Sequence, residues 1–301
     1  MYKADLHCHT RLSDGTMGID DMIKLAKDSG VTVLSITDHD CVAGIVRAKM
    51  LGERHGIKVI PGVELTTTDK VHGKRAHILC YLPDIPDRLE KICAVNSNVR
   101  KRTGQLMAVK ASKKFPISIE FIMKCATGST NIFKQHIMQA LKECGYTTTI
   151  YGELFNSLFK RTSPENILVE LNYVEPQIAI RAIHDAGGIA VLAHPGMYDN
   201  FDLLDDLVKV GLDGVEVWHP SNTLEQQEEL ISFAKKHKIL MTGGSDFHGA
   251  YNSRPVKLGD YGPPEECVAK LLNYKTNQRR KKKREEAKQL AQEQALATAG
   301  V

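Results

Sequence analysis

Short apolar runs that alternate with amphipathic segments constrain this chain more than any other feature. The runs cover 4–7, 33–37, 59–63, 76–82, 189–193, 214–217 and 239–242. Some, such as Ile189-Ala190-Val191-Leu192-Ala193, are apolar along their whole length, which suits parallel strands covered on both faces. Helical periodicity marks 19–29, 43–55, 176–186, 203–210 and 224–237. In the first of these Ile19, Met22, Ile23, Leu25 and Ala26 share one side, and the pattern stops at Gly30. Strand and helix in alternation imply an α/β chain with a parallel sheet. Seven repeats with polar residues at the strand ends favour a closed barrel over an open sheet.

The rhythm fails between 83 and 175, where helical patterns such as 90–114 and 132–144 occur without strands. The expected organisation is a discontinuous barrel, 1–83 and 175–274. A mostly helical insertion, 84–174, caps its mouth, and a basic tail follows at 275–301. The net charge of +4 belongs to that tail. From Lys275 onward there are eight Lys/Arg and three Glu, a surplus of five, so residues 1–274 carry about −1. The run Arg279-Arg280-Lys281-Lys282-Lys283-Arg284 reads as a solvated or disordered end, with phosphate-backbone contact as the alternative.

No stretch approaches the ~18 apolar residues of a membrane span, and the first residues lack the apolar core of a secretory signal, so the expectation is a cytoplasmic protein without a membrane partner. Seven cysteines without a C-x-x-C pair indicate neither a disulfide framework nor a zinc knuckle.

Histidines and acids fall at the ends of the expected strands. His7 and His9 close the first strand, where an i, i+2 spacing points both rings one way, as two ligands of one ion require. Asp14 lies in the next loop, Asp38-His39 closes the second strand and Glu64 ends the third. His77 lies in the fourth strand, His194 ends the fifth, and Asp246 and His248 follow the last. Six histidines and three acids so placed point to a metal cluster, because burying nine such groups without ions carries large desolvation costs. His55, His72, His184, His219 and His237 lack that placement and read as ordinary hydrogen-bonded residues, His219 least securely because it follows a strand.

The motifs His7-x-His9, Asp14-Gly15, Thr37-Asp38-His39, Gly62-Val63-Glu64, His77, Ala193-His194-Pro195 and Gly244-Ser245-Asp246-x-His248 resemble those of the polymerase and histidinol phosphatase (PHP) family, in order and up to about Leu272. The resemblance is strongest to small members that include nucleotide phosphatases, cyclic phosphodiesterases and 5′ to 3′ exonucleases on short RNA. It implies a distorted seven-stranded barrel with three metals at its mouth. Position by position, it puts His7, His9, Glu64 and Asp246 on one ion, and Asp14, His39 and His248 on a second. The third takes Glu64, His77 and His194, with Glu64 bridging. Asp38 and Asp40 are expected to orient His39 from outside the ligand set. Two or three divalent ions are expected, and imidazole-rich sites favour Mn, Zn or Fe over Ca or a lone Mg.

Such ions suit phosphate ester hydrolysis by a metal-bound hydroxide in line with the leaving group. The expected activity is therefore a metal-dependent phosphatase or phosphodiesterase. It would hydrolyse mono- or diesters of a nucleotide or related small phosphorylated substrate. The alternatives are a 5′-3′ exonuclease on short RNA or DNA, a non-catalytic nucleic-acid-associated PHP module, and hydrolysis of a C–N bond. The segment Phe133-Lys134-Gln135-His136-Ile137 aligns with one that in relatives commonly reads Gly-Arg-Pro-His-Ile. That makes Lys134 and His136 candidate substrate-binding residues, with Arg161 a weaker third. Lysine binds phosphate as a point charge without arginine's bidentate fork, so substrate choice is expected to differ.

Overall fold

The computed structural model describes residues 2–280 and places them in an α/β fold. In the first half, β1 (Ala4–Cys8), α1 (Ile19–Asp28), β2 (Val33–Ile36), α2 (Ile45–His55) and β3 (Lys58–Val59) lead into the hairpin of β4 (Gly62–Asp69) and β5 (Lys74–Tyr81). Helices α3 (Glu90–Lys114), α4 (Ile119–Cys125), α5 (Lys134–Glu143), α6 (Glu153–Phe159) and α7 (Pro176–Asp185) follow. Then come β6 (Ile189–Leu192), α8 (Pro195–Tyr198), α9 (Leu204–Lys209), β7 (Gly214–Trp218), α10 (Leu224–His237) and β8 (Leu240–Gly243).

The helix signals act as expected. Ile19, Met22, Ile23 and Ala26 form the buried face of α1, and Gly56 ends α2 in the left-handed conformation that glycine adopts without strain. Thr223 and Gln226 cap α10 reciprocally: Thr223 Oγ1 accepts the Gln226 N–H at 3.2 Å, and Gln226 Oε1 accepts the Thr223 N–H at 2.9 Å.

The sheet differs from the expected closed barrel of seven strands. Eight strands lie in two sheets, β1-β2-β3 and β4-β5-β6-β7-β8, and no ladder closes them among the described residues. Two features account for this. The run 59–63 contains Pro61, which has no N–H for a ladder, and splits into β3 and β4. The link between β4 and β5 is residues 70–73, too short for a crossover, so β5 runs antiparallel to both β4 and β6. Between the sheets there are only single bridges, Cys8 to Phe247 and His39 to Glu64. The polar residues of interest sit at this seam, where strands approach without zipping together.

Each sheet carries its own apolar packing. Met22, Ile23 and Leu34 pack in one cluster, and Leu65, Ile78, Ile180, Leu192 and Val215 in another. Between 83 and 175 the described residues form α3–α6 without a strand, and Met107, Ile122, Ile137, Leu141 and Leu158 build a third cluster there. A fully buried Leu or Ile contributes ~1.5–3 kcal/mol, so this helical stretch has a hydrophobic core of its own.

The chain divides into two compact units, Met1–Pro263 and Pro264–Val301. In the second, residues 265–280 are helical. The basic tail expected at 275–301 falls largely outside the described residues, from 281 onward. Among the described residues no helix is long and apolar enough to cross a membrane.

Candidate metal centre

Strand geometry brings the first two histidines together. His7 and His9 project to one side at the end of β1, and their Nε2 atoms lie 3.2 Å apart. Asp5, fully buried on the same strand, accepts hydrogen bonds from the backbone N–H groups of His7, Ser245 and Gly259 and from the Ser245 hydroxyl. Those bonds tie β1 to the loop that carries Asp246 and His248. Gly244 permits the approach, because a Cβ there would stand 2.4 Å from the His7 backbone nitrogen. Two ligand-type residues hold uncommon positive φ angles, His194 at 29° and Asp246 at 52°. Such strain costs ~1–3 kcal/mol each and persists where surrounding bonds impose it.

Glu64 is the hub. It is 1% exposed, with Oε1 2.8 Å from His77 Nδ1 and 2.9 Å from His194 Nε2. Its Oε2 lies 2.9 Å from His39 Nδ1 and 3.3 Å from His9 Nε2. Asp246 Oδ1 stands 3.4 Å from His7 Nε2 and 3.2 Å from His9 Nε2. Asp14 Oδ1 is 3.3 Å from His248 Nε2, and its Oδ2 is 3.9 Å from His39 Nε2. All nine expected ligand positions therefore meet in one buried cluster.

Three features of the cluster fit divalent ions. Asp14 Oδ1, His39 Nδ1 and Glu64 Oε2 are buried without a hydrogen-bond partner among the described residues, although His39 Nδ1 and Glu64 Oε2 stand 2.9 Å apart. Close approach without hydrogen-bond geometry is how donors look when they converge on a common point rather than on each other. Ligand atoms also fall into groups within 4.8 Å of one another: His9, Asp14, His39 and His248; His7, His9 and Asp246; His7, Glu64 and His194; His39, Glu64 and His77. Finally, the His7 Nδ1–H meets Glu216 Oε1 at 3.0 Å and the His248 Nδ1–H meets the Asp246 carbonyl at 2.7 Å, each turning the Nε2 lone pair toward the cluster.

The charges are strongly coupled. Burial opposes ionisation of Glu64, yet the imidazoles of His39 and His7 outweigh it and hold the carboxyl well below the usual carboxylate range. Asp14 behaves alike, with His248 and His39 overcoming burial. Burial pushes His77 down to about 3, despite Glu64, so its ring is neutral. His248 rises to about 10 against burial because Asp14 and Asp246 face it. A cation bound here would replace that proton.

Beside the cluster opens a cavity of about 550 Å³, within the range of small-ligand sites. Its lining includes Lys134 but neither His136 nor Arg161. His136 is 2% exposed and accepts the Phe133 backbone N–H at Nδ1, 3.1 Å, so it caps α5 and sets Phe133, Lys134 and Gln135 in place. Arg161 is exposed and pairs with Glu170 at 2.7 Å. Among the described residues Asp38 and Asp40 make no hydrogen bond or ion pair with the His39 side chain. Asp38 accepts hydrogen bonds from Thr10 and Ser13 in the loop after β1, while Asp40 accepts from Thr66 and Asn96 and pairs with Arg100 at 2.9 Å.

Sequence reading missed two members of the cluster. Glu216 is fully buried, bonded to His7 and to the backbone N–H of His194 at 2.8 Å. His219, set aside as an ordinary residue, is 1% exposed with Nε2 3.5 Å from Asp246 Oδ2. The signal for Glu216 was present: an acid inside the apolar strand Gly214-Val215-Glu216-Val217 must find a partner when buried. His219 directly follows β7, as His194 follows β6 after one intervening residue.

Comparison with known proteins places this architecture. Residues 5–173 match the PHP domain family. The chain is 34% identical over 254 residues to the phosphoribosyl 1,2-cyclic phosphate 1,2-diphosphodiesterase of Eggerthella lenta, covering 83% of this chain and 96% of that one. It is 31% identical over 258 residues to a 5′-3′ exoribonuclease of Escherichia coli, covering 81% and 84%. A solved structure from Bifidobacterium adolescentis, assigned as a metal-dependent phosphoesterase, superposes with a TM-score of 0.80 at 30% identity, over 89% of this chain and 95% of that one. By domain match and by similarity over most of its length, this chain belongs to the PHP family.

Proposed function

We propose that this metal-dependent phosphoesterase hydrolyses phosphate mono- or diesters of a nucleotide or a related small phosphorylated compound. The nine clustered side chains His7, His9, Asp14, His39, Glu64, His77, His194, Asp246 and His248 would hold two or three divalent ions. The observation that carries this reading is the convergence of buried histidine and carboxylate ligand atoms on Glu64 and its neighbours at the wall of a substrate-sized cavity. When bound, such ions acidify water and neutralise phosphoryl oxygens, and an imidazole-rich donor set favours Mn, Zn or Fe.

The chain's own groups supply the rest. The side chains of Arg75 and Lys134 line the cavity with no side-chain hydrogen bond or ion pair among the described residues, Arg75 lying over the Tyr173 ring, which suits an anionic part of the substrate away from the scissile bond. Phe133 stacks on His39 at 5.9 Å between ring centres, and Tyr151 and Phe155 add aromatic wall that suits a planar base. Gln135 donates to Asp14 Oδ2 at 3.2 Å, so α5 reaches the cluster directly. In this reading the helical stretch 84–174 acts as a cap that excludes water from the reacting phosphate.

The test is to load the protein with manganese and offer nucleoside bisphosphates, cyclic nucleotide phosphates and short RNA, with released phosphate or nucleotide as readout. Turnover of the small phosphates is expected. Turnover of RNA alone, or amide hydrolysis without phosphate release, contradicts the proposal.

Lys134 gives the reading a pH signature. Burial, then Arg75, lower its ammonium to about 8. It therefore loses charge between pH 7 and 9, where an ordinary lysine stays charged, and anion binding weakens over that range. We expect kcat/KM for a bisphosphate to fall above pH 8, since that ratio reports the free enzyme. Lys134→Arg should remove this alkaline limb. Lys134→Ala should lower kcat/KM roughly 10- to 100-fold, from the ~1.5–3 kcal/mol of a charged hydrogen bond. Identical pH profiles for the wild type and Lys134→Arg would count against the assignment.

A further inference from the structure

We infer that His219 donates a hydrogen bond from Nε2–H to a phosphate oxygen of the bound substrate and is not a ligand of the metal centre. The inference rests on the reading above, in which the scissile phosphate lies against the cluster of Glu64 and Asp246.

The tautomer follows from a backbone group. A peptide N–H only donates, and that of Ser221 donates to His219 Nδ1 at 3.0 Å. The Ser221 hydroxyl lies 2.7 Å from the same nitrogen and can serve either as donor or as acceptor. Nδ1 is therefore unprotonated, and the proton of the neutral ring sits on Nε2. His7 and His248 hold the opposite arrangement, with their Nδ1–H groups spent on Glu216 and on the Asp246 carbonyl. Their Nε2 atoms offer lone pairs to the cluster, whereas that of His219 offers a proton. Proximity alone groups His219 with His7 and Glu216 as a candidate ion site. The hydrogen bond at its other nitrogen argues against ligation, because a ligating nitrogen must present a lone pair.

Within the protein that proton has Asp246 beside it but no hydrogen bond in good geometry. His219 is 1% exposed and its Nε2 is without a hydrogen-bond partner among the described residues. The nearest acceptor, Asp246 Oδ2, is 3.5 Å away and outside hydrogen-bond geometry. The ring lines the cavity, so an oxygen arriving there with the substrate meets the donor. Its position is braced: Asn222 Nδ2 donates to the carbonyls of Glu216 and Val217, and Arg254 donates to that of Pro220. A rigid donor aimed at an oxygen that gains charge during hydrolysis needs no reorganisation in the transition state.

The experiment compares manganese-loaded wild type with His219→Gln, His219→Asn and His219→Ala, using p-nitrophenyl phosphate and bis(p-nitrophenyl) phosphate as probes. Glutamine places an amide N–H near the position of Nε2–H, and asparagine is too short to do so. We expect alanine and asparagine to lower kcat by about 10²-fold while glutamine stays within about tenfold of wild type. Bound manganese per protein should be equal in all four. Loss of manganese in the variants would make His219 a ligand or a brace for one, and unchanged turnover in His219→Ala would remove the donor role. Either overturns the inference. Ring ¹⁵N shifts of the zinc-loaded wild type test it without a variant: protonated Nε2 is expected, and protonated Nδ1 overturns it. A manganese-loaded wild type inactive on every phosphate ester overturns the phosphoesterase reading, and this inference with it.

Discussion

Replacing Glu64 with glutamine is expected to abolish phosphate ester hydrolysis, with a loss of at least ~10³-fold, because essential groups that act as one unit fail together. The substitution keeps size and shape and removes one negative charge. That charge stands 2.8–3.5 Å from ring nitrogens of His77, His194, His39, His9 and His7, in a setting that is 1% exposed. No other carboxylate in the cluster reaches so many of the candidate ligands. An amide also presents an N–H to atoms that need an acceptor, so glutamine breaks the convergence instead of merely weakening it. Removing one partner of a buried charge network typically costs ~3–5 kcal/mol, so Glu64→Gln should also unfold at lower temperature. The checks are kcat on a small phosphate ester, metal per protein and the thermal midpoint. Wild-type turnover by Glu64→Gln would contradict the assignment of Glu64 as the shared ligand.

Stripping divalent ions with a chelator is expected to have the second largest effect, on activity and stability together. Without ions, the carboxylates of Asp14 and Glu64 and the rings of His39, His77 and His194 remain buried, each with a polar atom that has no hydrogen-bond partner among the described residues. At free ion 1,000-fold above the dissociation constant, one bound ion stabilises the folded state by about 4 kcal/mol. For a chain of this size that corresponds to a thermal midpoint lower by on the order of 10 °C in the stripped protein. Activity should return on adding manganese. Because ligands bind as free bases, the ions should also hold more tightly at pH 8 than at pH 6. Full activity in the presence of excess chelator, with an unmoved midpoint, would contradict the account.

The sequence carried much of this in readable form. The pattern of apolar residues located β1, β2, α1, α3 and α10 to within a residue or two, because the two strands are buried along their whole length and each helix buries part of its surface. The nine ligand-type residues were legible because strand ends are where a chain turns into the open, so ionisable groups there stand out against apolar runs. What was not legible depends on contacts distant in sequence. The separation of the strands into two sheets turns on Pro61 and on the tight link from β4 to β5, which an alternating pattern conceals. The role of Glu216 appears only when His7, more than 200 positions earlier, is seen against it. For His219 the deciding partner is the Ser221 backbone N–H, which no side-chain pattern encodes. In the helical stretch 84–174, Lys134 and His136 are two positions apart, yet one lines the cavity and the other turns into the N-terminal cap of α5, a division set by the start of that helix.

Anomalous diffraction from crystals of the manganese-loaded protein, collected on both sides of the manganese edge, tests the central claim most directly. The account predicts two or three anomalous peaks inside the space bounded by His7, His39, Glu64, His194 and Asp246, with Glu64 touching more than one. Peaks elsewhere on the molecule, or none within that cluster at full manganese occupancy in solution, would contradict it.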